Sequence, residues 1–450
     1  MPLQPIVIKE HQTYDIEKHP DGKKCLEERH VVLEGMPTDF MGIPKYLGVD
    51  NSLTAGFYIG ADWLVEKELP IVVLPKIDNL DYLGMFVAAL SVDSVAESNY
   101  FAKCYGISFN KPAIEVSEDV SQLTPLLLVH YITLLEKLVK TGLRKGYVTI
   151  SENLTNRYKG HLLVSQHIKK NIIFGRQDRN YCSYQVFSSD IPVNRLLKKA
   201  LLFAQKMLQN LLPVNMMTMQ LQNRINALLS AFADVSDNIE ISEVRLCSGN
   251  KIFKNYAQAV VVAKDILRRY DYSIANIDES NHSTPCFWID MSRMFELYVY
   301  SKLSTAYPGK IKFQVRGYCG TAADYIHVGE HIIIDAKYKP RYEYSNSGII
   351  PDIREISGYG RDVSILEHFG KDFLNSNEEV KCLIIYPQTE VSFPISDGSD
   401  EQMCRALSDY ANMNELQQSS TPNPLWNQAT EIKHYRNFRK LRISLPIINH

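Results

Sequence analysis

A chain of 450 residues is long enough for about three ordinary domains, each with its own core. Its 45% hydrophobic and 22% charged residues belong to a folded globular protein and exclude a disordered one. The net charge of −2 gives no overall attraction to nucleic acid, so any DNA contact must come from local basic patches. Cys25, Cys104, Cys182, Cys247, Cys286, Cys319, Cys382 and Cys404 include no C-x-x-C pair, which leaves zinc ribbons and thioredoxin-like centres unsupported. Scattered cysteines without a signal sequence point to a reducing cytoplasm. No apolar run reaches the roughly 20 residues that a bilayer crossing needs.

Residues 1–120 read as β-rich, with Ala55–Val65 and Ile71–Leu74 the clearest strands and Pro75 closing the second. A short helix is expected from Asp81 onward. Residues 121–280 read as mostly helical. Leu127, Leu128, Tyr131, Leu134, Leu135 and Leu138 recur at three- and four-residue spacing, so Pro125–Lys140 is a helix with one buried face, stopped near Gly142. Strands are expected at Gly146–Ile150 and Gly160–Ile173, then helices around Asn194–Leu211, Met219–Ala233 and Tyr256–Tyr270. Asn281–Pro285, short, polar and closed by proline, is the candidate hinge before a last domain at 281–450. There Asp290 or Ser292 caps a helix, Ile311–Val315 is a strand, a hairpin adds two more, Asp352–Tyr359 is helical and Lys381–Tyr386 is a strand. The fold class is therefore α/β in the broad sense, an α+β multidomain chain.

The hairpin, Asp324–Lys337, carries the chemistry. His331–Lys339 is mostly β-branched or aromatic, so Ile332, Ile334 and Ala336 face one way and Asp335, Lys337 and Lys339 the other. A type II′ turn at Gly329-Glu330 would pair Val328 with His331. Counting outward, Asp324 then falls opposite Asp335. Carboxylates placed so close repel, and a divalent cation turns that repulsion into a site; hard oxygen ligands suit Mg²⁺. Lys337, two residues on, shares the face and can polarise water or steady a phosphate.

This arrangement resembles the PD-(D/E)xK nuclease core, with Asp324 as first acid and Asp335-Ala336-Lys337 as the D-x-K element. The tripeptide pattern recurs at Asp21-Gly22-Lys23, Glu379-Val380-Lys381 and Glu431-Ile432-Lys433; what separates Asp335 is its apolar strand and the registered acid beside it. Thr321-Ala322-Ala323 precedes Asp324, so the proline usual before the first acid is absent. Helix, three strands, helix and strand is the order that core requires.

Further segments resemble the McrC family, nuclease subunits of McrBC modification-dependent restriction systems. They are Leu74-Pro75-Lys76-Ile77, Leu143–Tyr147, Glu152–Leu154, Lys159-Gly160, Tyr181–Tyr184, Asp190–Asn194, Asp290–Val299 and Ile384–Pro387, in order. The resemblance implies a C-terminal restriction-endonuclease-like domain, with a mixed central sheet flanked by helices, that uses Mg²⁺ at Asp324 and Asp335 and Lys337 in catalysis. It also implies modified double-stranded DNA as substrate and a McrB-like AAA+ GTPase motor as partner. The amino-terminal part, before about residue 280 and including the β-rich 1–120 region, would engage that motor. This chain has no G-x-x-x-x-G-K-[ST] loop of its own, consistent with an external motor.

Glu296 can reach the cation as helix acids do in relatives, or is an edge carboxylate beside a buried stripe. Arg354 stands where the family often has glutamine; a guanidinium there can grip a phosphate but cannot ligate metal. The basic, aromatic run Lys433–Arg442 and the dispersed Arg157, Lys159, Lys169, Lys170 and Arg176 are candidate DNA-facing patches, the latter equally suited to an acidic motor surface. Two rival readings stay open: a stand-alone DNA repair nuclease with the same core, and a non-catalytic activator of the motor.

Overall fold

A computed structural model describes residues 2–33, 45–90, 100, 103–108, 111–112, 114–115, 123–211, 216–244, 254–275, 283–284, 286–318, 320–340, 349–376, 378–388 and 424–447. The chain divides into two compact units, Met1–Glu118 with His282–His450, and Asp119–Asn281. The class is mixed, with helices and sheets in which parallel and antiparallel pairs both occur. Among the described residues no helix is long and apolar enough to cross a membrane.

In the first unit, β1 (Ile6–Lys9), β2 (Tyr58–Val65), β3 (Leu69–Leu74) and β4 (Tyr105–Ser108) come from the start of the chain, with β5 (Ile114–Glu115) after them. Ile6, Ile8, Leu69, Ile71 and Val73 lie in their core. The helix Tyr82–Leu90 lies between β3 and β4, with Asp81 Oδ1 accepting from Gly84 N at 2.7 Å as its cap.

The second unit contains β6 (Gly146–Thr155), β7 (His161–Leu162) and β8 (Arg179–Ser188), in the order β6-β8-β7. Its helices Leu123–Thr141, Pro192–Leu211, Met216–Ala231 and Lys254–Ala275 lie where periodicity places them. They pack through Tyr131, Leu135, Leu197, Leu201, Ile225 and Ile266, all fully buried. The strand expected over Gly160–Ile173 is not one. Only His161–Leu162 pairs; Val164–His167 is helical and Ile168–Ile172 a π-turn. The cause is tertiary. Buried Asn171 exchanges two 2.8 Å amide bonds with Asn153 and donates to Arg179 O, anchoring a helical turn against the β-branched preference of its neighbours.

The chain then returns to the first unit with β9 (Ser283–Thr284) and β10 (Cys286–Asp290). Of the expected hinge, Asn281, His282 and Pro285 lie outside the described residues, and Ser283-Thr284 pairs with β5. β10 enters the N-terminal sheet, whose order is β1-β3-β2-β10-β4. Gly60 permits this: any Cβ there would overlap Phe287 O. So the segments before residue 118 and after 282 share a sheet, a joining that linear boundaries at 120 and 280 do not express.

After the helix Met291–Ala306, capped by Asp290, come β11 (Ile311–Arg316), β12 (Ala322–His327), β13 (Ile332–Ala336), the helix Ile350–Tyr359, β14 (Lys381–Pro387), β15 (Thr430–Glu431) and β16 (Phe438–Ile443). The sheet order is β11-β12-β13-β14-β16-β15, antiparallel through β13, then parallel to β14 and β16. Ile332 to Ala336 are all buried, where a single apolar face was expected. The parallel pairing accounts for it, since such sheets are covered on both faces. Ile326, Ile333 and Ile356 meet on the side of the later helix, while Tyr300, Phe313 and Tyr325 stack on the side of the earlier one. The basic run at the C-terminus is absorbed only at its end, where Lys440 is buried and Arg439 lies 4.8 Å from the Trp426 ring centroid; Lys433, His434 and Arg436 are exposed.

Candidate active site

β12 and β13 pair with Tyr325 opposite Ile334, Ile326 opposite Ile333 and His327 opposite Ile332. One further step along this ladder sets Asp324 opposite Asp335. The register is the expected one, but the turn is not. Gly329 is not left-handed; the positive φ falls on His331, at 54°, in a four-residue turn closed by His327 and Ile332. Ring contacts of His331 with Phe369 and Phe373, and its Nδ1 3.2 Å from Glu378 Oε1, hold that residue in place.

Asp335 is buried, and its Oδ2 stands 3.0 Å from Lys337 Nζ. That ion pair lacks hydrogen-bond alignment, so Asp335 Oδ2 is a buried oxygen with no hydrogen-bond partner among the described residues. Asp324 Oδ2 accepts from Ala336 N at 2.9 Å, which fixes the first acid to the strand of the second. Glu296, on the helix Met291–Ala306, accepts from the Tyr100 hydroxyl. Gln314 Nε2 lies 3.3 Å from Glu296 Oε2 and 3.3 Å from Asp324 Oδ1. Lys337 also donates to Glu355 Oε2 at 2.8 Å, and Tyr359 donates to Glu355 Oε1 at 2.9 Å.

Burial dominates the electrostatics. It pushes Glu296 up to about 7, aided by Asp335 and Asp290 and opposed by the Tyr100 hydrogen bond. Burial, then Glu296 and Asp335, hold Asp324 well above the carboxylate range. Burial also raises Asp335, against the pull of Lys337. For Lys337 burial favours the neutral amine, but Asp335 and Glu355 together overcome it and raise the group. Lys337 is therefore a cation.

A divalent cation fits this donor set. Asp324 and Asp335 offer hard oxygens, their proximity is unfavourable without positive charge, and Asp335 Oδ2 is out of hydrogen-bond alignment with Lys337. No group of three His, Cys, Asp or Glu side chains forms a ready-made metal cluster among the described residues. A partial shell of this kind suits Mg²⁺, which keeps several waters.

Arg354 is not brought to these groups. It is exposed, and its neighbour Glu355 makes the contact. Asp352, Glu355 and Tyr359 recur at three and four residues and form one stripe, a signal that would have found Glu355 in the sequence. Lys339 is pinned to both oxygens of buried Asp352, at 2.9 and 2.8 Å. Tyr100 and Gln314 carry no sequence signal of this kind. Another contact reaches the site from afar: Lys76 Nζ donates to Tyr338 O at 2.7 Å and lies 3.7 Å from that ring's centroid. Buried Glu10 Oε2 accepts from Lys76 N at 3.1 Å.

The family model for the McrBC 5-methylcytosine restriction system component matches residues 53–350. The chain belongs to that family. The McrBC match spans β2 to the start of the helix after the hairpin, and so includes Asp324, Asp335 and Lys337. No curated protein matches the chain. Among solved structures, it is similar to a chain of the Thermococcus gammatolerans half-complex of McrB AAA+ hexamers with bound McrC, at 13% identity and a TM-score of 0.38, over 98% of this chain and 94% of that one. It is also similar to a chain of the Thermococcus gammatolerans McrBC complex, at 14% identity and a TM-score of 0.28, over 67% and 88%.

Proposed function

We propose that this McrBC family member is the Mg²⁺-dependent endonuclease subunit of a restriction complex, cutting modified double-stranded DNA in company with an AAA+ GTPase. The observation that carries the reading is the juxtaposition of Asp324 and Asp335 on neighbouring strands, with Lys337 3.0 Å from the second acid. The helix–three strands–helix–strand order around them agrees with a PD-(D/E)xK core.

Asp324 and Asp335 would hold the cation, with Glu296 close beside them across Gln314. The cation supplies charge stabilisation at the scissile phosphate. Lys337, kept protonated by two acids, is suited to neutralise charge on a phosphate oxygen and unsuited to remove a proton from water. Glu355 orients that lysine, and Tyr359 fixes Glu355. Burial of the acids keeps their field from being screened.

Engagement of the motor falls to residues before about 280. Residues 1–118 are packed into the unit of the candidate site, so the second unit is the better-furnished surface. Its π-turn region exposes Ile173 (68%) and Phe174 (67%), next to Lys169, Lys170 and Arg176. Exposed apolar side chains grouped in this way mark interaction sites.

The test is cleavage of methylated against unmethylated DNA by the full chain with its AAA+ GTPase, with Mg²⁺ or EDTA. Cleavage should need the cation, the motor and the modification, and Asp335→Ala should abolish it while assembly with the motor persists. Normal Mg²⁺-dependent cleavage by Asp335→Ala would overturn the assignment.

A further inference from the structure

Gln314 has two features that membership of a strand does not explain. It lies inside β11, yet its φ is 49°, a left-handed conformation that L-residues avoid and that persists only where the surroundings over-determine it. The ladder with β12 pairs Phe313 with Tyr325 and Val315 with Ala323, which sets Gln314 opposite Asp324. From there its Nε2 is 3.3 Å from Asp324 Oδ1 and 3.3 Å from Glu296 Oε2. A carboxamide nitrogen has two hydrogens, one for each carboxylate. With both acids ionised, as a bound cation would have them, the reverse orientation would set the amide oxygen against two acceptors, so the neighbours decide which end is nitrogen.

Asp324 is thereby held at both oxygens, by Ala336 N from β13 and by Gln314 from β11. Each oxygen keeps a second lone pair for another ligand. Asp335 Oδ2, buried beside Lys337 Nζ at 3.0 Å but out of hydrogen-bond alignment with it, likewise keeps room for a ligand.

We propose that Gln314 is a positioning residue of the cation site: its carboxamide orients the Asp324 and Glu296 carboxylates, and the left-handed turn in β11 exists to bring it there. The inference rests on the reading of Asp324 and Asp335 as cation ligands. A kink serving packing alone would carry no particular side chain, whereas this one aims an amide between two acids.

The experiment titrates full-length Gln314→Gly and Gln314→Met with Mn²⁺, following the free ion by paramagnetic resonance, beside thermal melting of the same proteins. Glycine relaxes the left-handed backbone and removes the amide; methionine keeps the length and removes only the amide. The Mn²⁺ Kd should rise about tenfold or more in both, the usual loss when a group orienting a ligand is removed. The glycine variant should melt no lower than the parent. A Kd within about twofold of the parent's in both variants overturns the role of the amide. A glycine variant that melts far below the parent assigns the kink to packing and overturns it too. Asp335→Asn separates this failure from that of the underlying reading. Binding lost in Asp335→Asn but kept in the Gln314 variants refutes Gln314 alone, while a parent that binds no Mn²⁺ refutes the cation site and this inference together.

Discussion

Lys337 is flanked by Asp335 and Glu355, and both hold its ammonium in place. Glu355→Gln removes one acid and leaves the other, so the lysine stays cationic but loses its second tether. Cleavage should fall about tenfold with little change in melting, less than the loss in Asp335→Ala, since a charge-assisted hydrogen bond is worth about 1.5–3 kcal/mol. Rates for the two variants side by side check this, and equal losses would give Glu355 a larger part. Glu10 provides a pH test away from the cation. Burial raises its carboxyl to about 7 from 4.5, with Lys76 opposing. The folded protein then binds more protons than the unfolded one between those values, so this group lowers stability as pH rises through the window, and the loss levels off above it. Glu10→Gln removes the penalty. The variant should match the parent near pH 4.5 and exceed it by about 1–3 kcal/mol above pH 7.5. Denaturation at several pH values reads the difference, and a gap independent of pH would refute it.

At the scale of the hairpin, the left-handed residue is His331, and a β-branched side chain there is strained. His331→Val and His331→Asn both lose the contacts with Phe369 and Phe373, but asparagine tolerates the conformation. Valine should therefore cost about 1–2 kcal/mol more than asparagine, a difference that chemical denaturation can resolve. Equal stabilities would mean that the turn rearranges. Inserting one residue between Gly329 and Glu330 tests the register itself. A slip would turn Asp324 to the other face, and Mn²⁺ affinity and cleavage should fall together. An insertion in another exposed loop serves as the control, because a bulge can absorb an extra residue.

On the scale of the whole molecule, the candidate site is not the property of one stretch of chain. β10 sits in the N-terminal sheet, and Lys76 bonds the backbone just beyond Lys337. The second unit is self-contained by comparison, with its own helices and the three-stranded sheet that carries the exposed π-turn region. The double variant Ile173→Ser, Phe174→Ser should reduce stimulation of the motor's GTP turnover several-fold, given that a few apolar anchors carry most interface energy. Its Mn²⁺ binding should equal the parent's, since those residues lie far along the chain from the acids. GTP turnover and Mn²⁺ titration on one preparation decide the matter, and undiminished stimulation would move the docking surface elsewhere.

The facing of Asp324 and Asp335 was legible in the sequence because strand alternation and a short loop leave little freedom in register. The helices of the second unit were legible for a similar reason: a 3.6-residue apolar period has one local solution. Where the sequence misled, a distant partner decided. Asn171 turned a β-branched run into a helical one through Asn153, and Phe438–Arg442, the end of the basic C-terminal run, became part of a sheet strand beside β14. Both faces of β13 are buried because β14 arrives from 45 residues or more further along, which no local pattern announces. Tyr100 and Lys76 reach the site from separate segments through bonds of long sequence separation, and Gln314 reaches it from the neighbouring strand. Local periodicity fixes which way a side chain points along its own strand or helix; which other segment it meets is set by packing of the whole unit, and that only the tertiary structure decides.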